Sequence, residues 1–163
     1  MKPQALIDLL REFTAAKLGL KRRHEAAARR VGTYDFNNTY QYVIAREESH
    51  LDWLCRAIRD LGAEPPADAA ALPEPAGGKG ADAQATVLAD DARMVQAFLD
   101  RWQGPAGQVT DSRQKLMLRI ILGEMLEQKR FFDQAVAGRL DLLGRRTGPN
   151  EASGSVLATR WVE

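Results

Sequence analysis

One stretch of this chain limits its folds more than any other. From Gly62 to Asp82 it reads Gly-Ala-Glu-Pro-Pro-Ala-Asp-Ala-Ala-Ala-Leu-Pro-Glu-Pro-Ala-Gly-Gly-Lys-Gly-Ala-Asp. Pro65, Pro66, Pro73 and Pro75 remove backbone donors and fix φ, and the glycines add backbone freedom, so the segment neither continues a helix nor joins a sheet. It is long for a connection inside a compact domain. It is also long enough to run the length of a helix bundle and start the next helix at the opposite end.

Amphipathic sequence lies on both sides of it. Segment A, about Pro3 to Val31, places Leu6, Leu9, Leu10, Phe13, Leu20, Ala27, Ala28 and Val31 at helical spacing, with Pro3 suited to a first turn. Gly32-Thr33 breaks it, with Thr33 or Asp35 as possible caps. Segment B runs from about Tyr34 to Leu61 and stops at Gly62. Segment C spans about Gln84 to Trp102, with Val87, Leu88, Asp91, Met94, Val95, Phe98, Leu99 and Trp102 on one stripe, and Gly104-Pro105-Ala106-Gly107 ends it. Segment D spans about Thr110 to Leu143, capped by Thr110 or Asp111 and stopped by Gly144. Its expected stripe is Met117, Ile120, Ile121, Glu124, Gln128, Phe131 and Ala135, with Glu127 on the border. No strand pattern competes. Short A–B and C–D connections make antiparallel hairpins, so the expected fold class is all-α, a four-helix bundle of two hairpins joined by a long crossover. Residues 1–144 form the bundle, with 62–82 as the crossover and 145–163 as a mobile tail.

Segment B carries the chemistry. Tyr40, Val43, Ile44, Glu47, His50, Leu51, Leu54 and Ile58 recur every three or four residues, which puts Glu47 and His50 on the apolar stripe. A carboxylate in a core is costly unless something satisfies it, and a metal ion is one such partner. Glu-x-x-His at i, i+3 is the step by which one helix offers an oxygen and an imidazole to a carboxylate-bridged metal pair. The second hairpin repeats the pattern in part. Asp91 and Glu124 lie inward, 124 − 91 = 33 residues apart, and Glu127 stands where a second histidine would come. Carboxylate oxygen suits iron or manganese there. The same offset in the first hairpin gives 47 − 33 = 14, which is Thr14, a poor ligand. Lys17, one turn on, falls near the stripe of Leu10, Phe13, Leu20 and His24 and offers an ammonium instead. Tyr40, seven residues before Glu47 on the same face, is placed to hydrogen-bond a carboxylate.

Helix B, from Arg46-Glu47-Glu48-Ser49-His50-Leu51-Asp52-Trp53-Leu54 to Ile58-Arg59-Asp60-Leu61-Gly62, resembles the second helix of the ferritin-like superfamily, in the style of rubrerythrins and bacterioferritins. The resemblance covers about Pro3 to Leu143. It implies a bridging or chelating Glu47, a terminal His50, Asp91 as the acid of the third helix, and Glu124 with Glu127 in place of the second Glu-x-x-His. Iron, or else manganese, is the implied cofactor, with oxidase, peroxidase or iron-handling chemistry. Thr14 and Glu127 depart from the pattern. The alternative is a metal-free bundle in which Lys17 neutralises the buried acids and the protein serves as a structural or interaction module.

The remaining features exclude more than they assign. Net charge is +1, from 23 basic and 22 acidic residues, and Lys21-Arg22-Arg23 with Arg29-Arg30 lacks aromatic interleaving. That reads as a solvated face and gives no call for nucleic acid. His24 reads as a histidine near a helix end, beside Glu25, and Phe131-Phe132 as core packing. One cysteine, Cys55, excludes an internal disulfide and, with no apolar run long enough for a signal or membrane span, points to a cytoplasmic protein. The expected partners are a metal ion and a second copy of the chain, as a homodimer.

Overall fold

The computed structural model describes residues 2–77, 80–140 and 142–143. Four helices make up the fold: α1 (Pro3–Ala28), α2 (Tyr34–Asp60), α3 (Ala81–Gly107) and α4 (Ser112–Val136). No strand occurs among the described residues. The expected tail, 145–163, lies outside them.

Side-chain pairings fix the topology. Down α1 from Lys17 to His24, the partners on α2 climb from Glu47 back to Tyr40, so the two helices are antiparallel. Phe13 meets Phe98 and Trp102 while Arg23 meets Asp91, so α1 and α3 are antiparallel too. Tyr40 meets Phe132 and His50 meets Glu124, which does the same for α2 and α4. The neighbours around the bundle are therefore α1, α2, α4 and α3 in turn. The side-chain amide of Gln84, in the first turn of α3, bonds both the backbone N–H and the hydroxyl of Thr33 at the α1–α2 turn, at 3.0 and 2.8 Å. The crossover has thus returned the chain to the end of the bundle where α2 began. A helix of 27 residues is about 40 Å long, which twenty extended residues readily span.

The crossover is fastened to α1. Ala70 donates its N–H to the Ala15 carbonyl at 2.8 Å. Gly19 makes the approach possible: a β-carbon there would lie 2.4 Å from the Ala70 oxygen. Farther along, the Arg23 guanidinium donates to the Pro73 carbonyl at 2.5 Å.

Helix ends follow local chemistry, and two differ from expectation. After α2, Gly62 at φ 79° closes a paired bond set, Gly62 N–H to Arg59 O and Ala63 N–H to Ile58 O. At the start of α4, Asp111 accepts from the Gln114 N–H at 2.8 Å. α4 stops at Val136 rather than Leu143. Gly138, at φ 87°, forms the same closing pair, with its N–H on Ala135 O and the Arg139 N–H on Gln134 O. α3 runs through Pro105 to Gly107 instead of ending at Trp102. Ala106, one turn beyond Trp102, is buried, and this anchorage holds the last turn helical despite the proline.

The buried stripe of α4 is also rotated from the expected one. Leu118, Ile121, Leu122, Met125, Gln128, Phe132 and Ala135 face the core, while Ile120 is 44% exposed and Phe131 only half-buried. The larger apolar set takes the interior, and Glu127, on the border of the expected stripe, becomes exposed.

Candidate polar centre

Midway along the bundle the apolar core gives way to charge. Glu47 and His50 are fully buried, as their place on the stripe predicts, and so are Asp91 and Lys17. Lys17 Nζ donates to Glu47 Oε1 at 2.7 Å, and the other oxygen of the same carboxylate accepts from His24 Nδ1 at 3.0 Å. Asp91 is held by Arg23 Nε at 2.9 Å and by the Tyr40 hydroxyl at 2.5 Å. Glu124 accepts a forked pair of bonds from Arg46, at 2.6 and 2.8 Å, and one from His50 Nε2 at 2.9 Å. Each inward acid therefore has its own cation: Lys17 for Glu47, Arg23 for Asp91 and Arg46 for Glu124.

These contacts set the protonation states. Burial alone would raise the Glu47 carboxyl, but His24 and Lys17 overcome it and hold it at about 2. Burial lowers the Lys17 ammonium, with Glu47 and then Glu124 opposing. For His24, burial disfavours charge, yet Glu47 outweighs it and the imidazole is raised above its ordinary 6.5. His50 goes the other way: burial and the Lys17 ammonium bring it down to about 4, so its ring is neutral near pH 7. Burial would raise Glu124, and the hydrogen bonds from Arg46 and His50 bring it below the ordinary value. The Tyr40 hydroxyl, buried against Asp91, is pushed well above its usual range and stays a donor. Lys17 is thus felt by Glu47, Glu124, His24 and His50 together.

The five residues expected as metal ligands do not converge. Glu47, His50 and Asp91 are fully buried and Glu124 is half-buried beside Arg46 at the rim, but they are split among three separate cation pairs, and Glu127 is exposed, where no core metal reaches it. No group of three or more His, Cys, Asp and Glu side chains is arranged to hold a metal ion among the described residues. The iron or manganese centre implied by the sequence pattern does not fit the residues present. A metal bound by these carboxylates needs their lone pairs, and the lone pairs are taken up by ammonium and guanidinium groups that carry the compensating charge themselves. Thr14 is no ligand either; its hydroxyl bonds the Leu10 carbonyl of its own helix at 2.6 Å.

Two residues of the centre are more buried than the sequence suggests. Arg23, expected on the solvated basic face, is 4% exposed, and His24, which does lie near the end of α1 and on its inward stripe, is fully buried. Their signal was present: both follow Leu20 and precede Ala27 at helical spacing, on the buried side of α1. Arg46, just before Glu47 on α2, was also unforeseen. It lies at the rim, one-third exposed, and only the fold shows that Glu124 comes within its reach.

No protein-family model matches the chain, and no curated protein is similar to it in sequence. Among solved structures it is similar to the bacterioferritin-related protein of Bacteroides fragilis, described as a dodecameric thioferritin, with a TM-score of 0.74 and 16% identity over 85% of this chain and 88% of that one. It is also similar to a ferritin-like, diiron-carboxylate protein from Bacillus anthracis, with a TM-score of 0.70 and 14% identity over 83% of this chain and 99% of that one. At these identities the likeness is one of fold, and the fold of this chain is the ferritin-like four-helix bundle.

Proposed function

We propose that this chain is a ferritin-like bundle whose centre is neutralised by its own side chains, and that it serves as a structural or interaction module without a resident metal. The observation that carries the reading is the ion pair of Lys17 with Glu47, 2.7 Å long with both side chains fully buried. Of two solved structures with this fold, one is named as a thioferritin and the other as a ferritin-like, diiron-carboxylate protein. Transferring that role here would require Glu47, Asp91 and Glu124 to release Lys17, Arg23 and Arg46, and Lys17 and Arg23 would be left as buried, uncompensated charges.

The interaction part rests on the outer α2–α4 face. Trp53, Ala57, Leu116, Met117 and Ile120 line an open, mainly apolar groove of about 450 Å³ between these helices, flanked by Arg56 and Arg113, with Leu116 56% and Ile120 44% exposed. Such a surface favours association with another chain, a second copy in a homodimer being the simplest case. No described helix is long and apolar enough to cross a membrane.

Thermal melts test the metal question. A metal that binds only the folded state at a hundred times its Kd adds about 2.7 kcal/mol, or roughly 5–11 °C for a chain of this size. The expected melting temperature is the same with ferrous iron under anaerobic conditions, with manganese and with a chelator. A rise of several degrees with either metal refutes the proposal. Light scattering after size-exclusion chromatography tests association: a dimer that Ile120→Glu converts to monomer supports it, and a wild-type monomer at micromolar concentration removes the homodimer.

A further inference from the structure

We infer that the Lys17 ammonium is a tethered substitute for a metal ion, closing to divalent transition metals a donor set centred on Glu47 and His24. The inference rests on the metal-free reading and names what enforces it. Glu47 presents its two oxygens in two directions, one to Lys17 Nζ and one to His24 Nδ1, at 2.7 and 3.0 Å. His24 comes from α1, about two helical turns beyond Lys17, and its ring packs against Tyr40 and Phe132, which fixes its plane. A carboxylate and an imidazole in a dry interior have the donor chemistry of a transition-metal site. They lack a third anionic or neutral ligand because Lys17 fills the place where it would stand.

The geometry also explains why an ammonium suffices. Lys17 carries one positive charge and Glu47 one negative, so the pair is neutral without an ion from solution. The other inward acids are matched separately, Asp91 by Arg23 and Glu124 by Arg46. Nothing anionic is left over at the centre to attract a dication. An incoming metal would meet the Lys17 ammonium at Coulombic contact and would have to displace it from a fully buried position.

Exchanging the charge at this single position therefore opens the site. In Lys17→Glu, the introduced carboxylate, Glu47 and His24 together make a donor set of two oxygens and one nitrogen. Cobalt(II) is the probe, because its visible d–d bands report inner-sphere ligation independently of any activity. Wild type is expected to show no saturable cobalt(II) uptake by calorimetry and no such bands. Lys17→Glu is expected to bind one equivalent per chain, at least about a hundredfold more tightly than wild type, since the site changes by two units of charge. The bands disappear when His24→Leu is added.

The outcomes separate the two proposals. Stoichiometric cobalt(II) binding by wild type overturns both. A folded Lys17→Glu chain, judged by its far-ultraviolet circular dichroism, that takes up no more cobalt(II) than wild type overturns this inference alone. Should that variant not fold, Lys17→Gln removes the ammonium without adding an acid. A folded Lys17→Gln that binds cobalt(II) more tightly than wild type supports the inference, and one that does not overturns it.

Discussion

Replacing Lys17 with methionine keeps most of the volume of the side chain and removes its ammonium, and with it both the charge and the hydrogen bond donated to Glu47. In the folded protein this leaves the Glu47 carboxylate fully buried, with the hydrogen bond from His24 alone in place of bonds from both His24 and Lys17. Breaking one side of a buried ion pair costs about 3–5 kcal/mol, far more than the pair is worth against an apolar isostere. Lowering the Glu47 carboxyl from 4.5 to about 2 corresponds to about 3 kcal/mol at neutral pH for His24 and Lys17 acting together against burial, and Lys17 supplies part of that sum. For a chain of this size the loss lowers the melting temperature by roughly 6–20 °C. The pH dependence has a definite sign. Glu47 is depressed in the fold, so its contribution is complete above the unfolded value of 4.5 and is lost as the pH falls toward about 2. The gap between wild type and variant is therefore widest at neutral pH and closes through that acidic window. Denaturant unfolding at pH 7 and pH 3, followed by circular dichroism, measures both points. Lys17→Met combined with Glu47→Gln removes both charges, keeps an acceptor for His24, and recovers most of the loss. A single variant within about 1 kcal/mol of wild type at pH 7, the range of an exposed pair, refutes the reasoning. So does a double variant no more stable than the single.

Three further outcomes are expected from the same structure. The two histidines titrate on opposite sides of 6.5 in heteronuclear NMR, His50 near 4 and His24 above its ordinary value; coincident midpoints near 6.5 contradict the centre as described. In linkage terms, the His50 contribution is lost as pH falls from 6.5 toward 4, whereas that of His24 is present below 6.5 and lost as pH rises through its raised value. Gly19→Ala, which in an exposed helix adds up to about 1 kcal/mol, here destabilises by about 1–3 kcal/mol and speeds proteolysis of the crossover, because the new methyl meets the Ala70 carbonyl; equal or greater stability refutes the fastening. Asp111→Ala removes the cap on Gln114 and costs about 1 kcal/mol in chemical denaturation, against no change if the bond is incidental.

Much of this fold is legible from periodicity and punctuation. The Pro- and Gly-rich stretch marks the crossover, and Gly62 marks the end of α2. Glu47 and His50 are inward because their spacing from Val43 and Leu54 makes them so. Spacing does not reveal which of two overlapping apolar stripes on α4 wins. Leu118, Leu122, Met125 and Phe132 compete with Met117, Ile120 and Phe131, and only packing against three other helices decides it. The rotation carried Glu127 to the surface. The cations were harder to see, because long basic side chains are usually solvated and a run such as Lys21-Arg22-Arg23 hides the one member that turns inward. The pairing of Arg23 with Asp91 spans 68 residues of sequence, and no local pattern encodes it.

The distribution of ion pairs between the hairpins bears on how chains assemble. Asp91 is gripped by Arg23 and Tyr40, and Glu124 by Arg46 and His50, so these contacts run from the first hairpin to the second. None of them records which molecule supplied the second hairpin. Two chains that traded halves through an extended crossover would reproduce every one. What distinguishes self from neighbour is the anchorage at Ala15, Gly19 and Arg23, which turns a slack leash into a short one and keeps each chain closed upon itself.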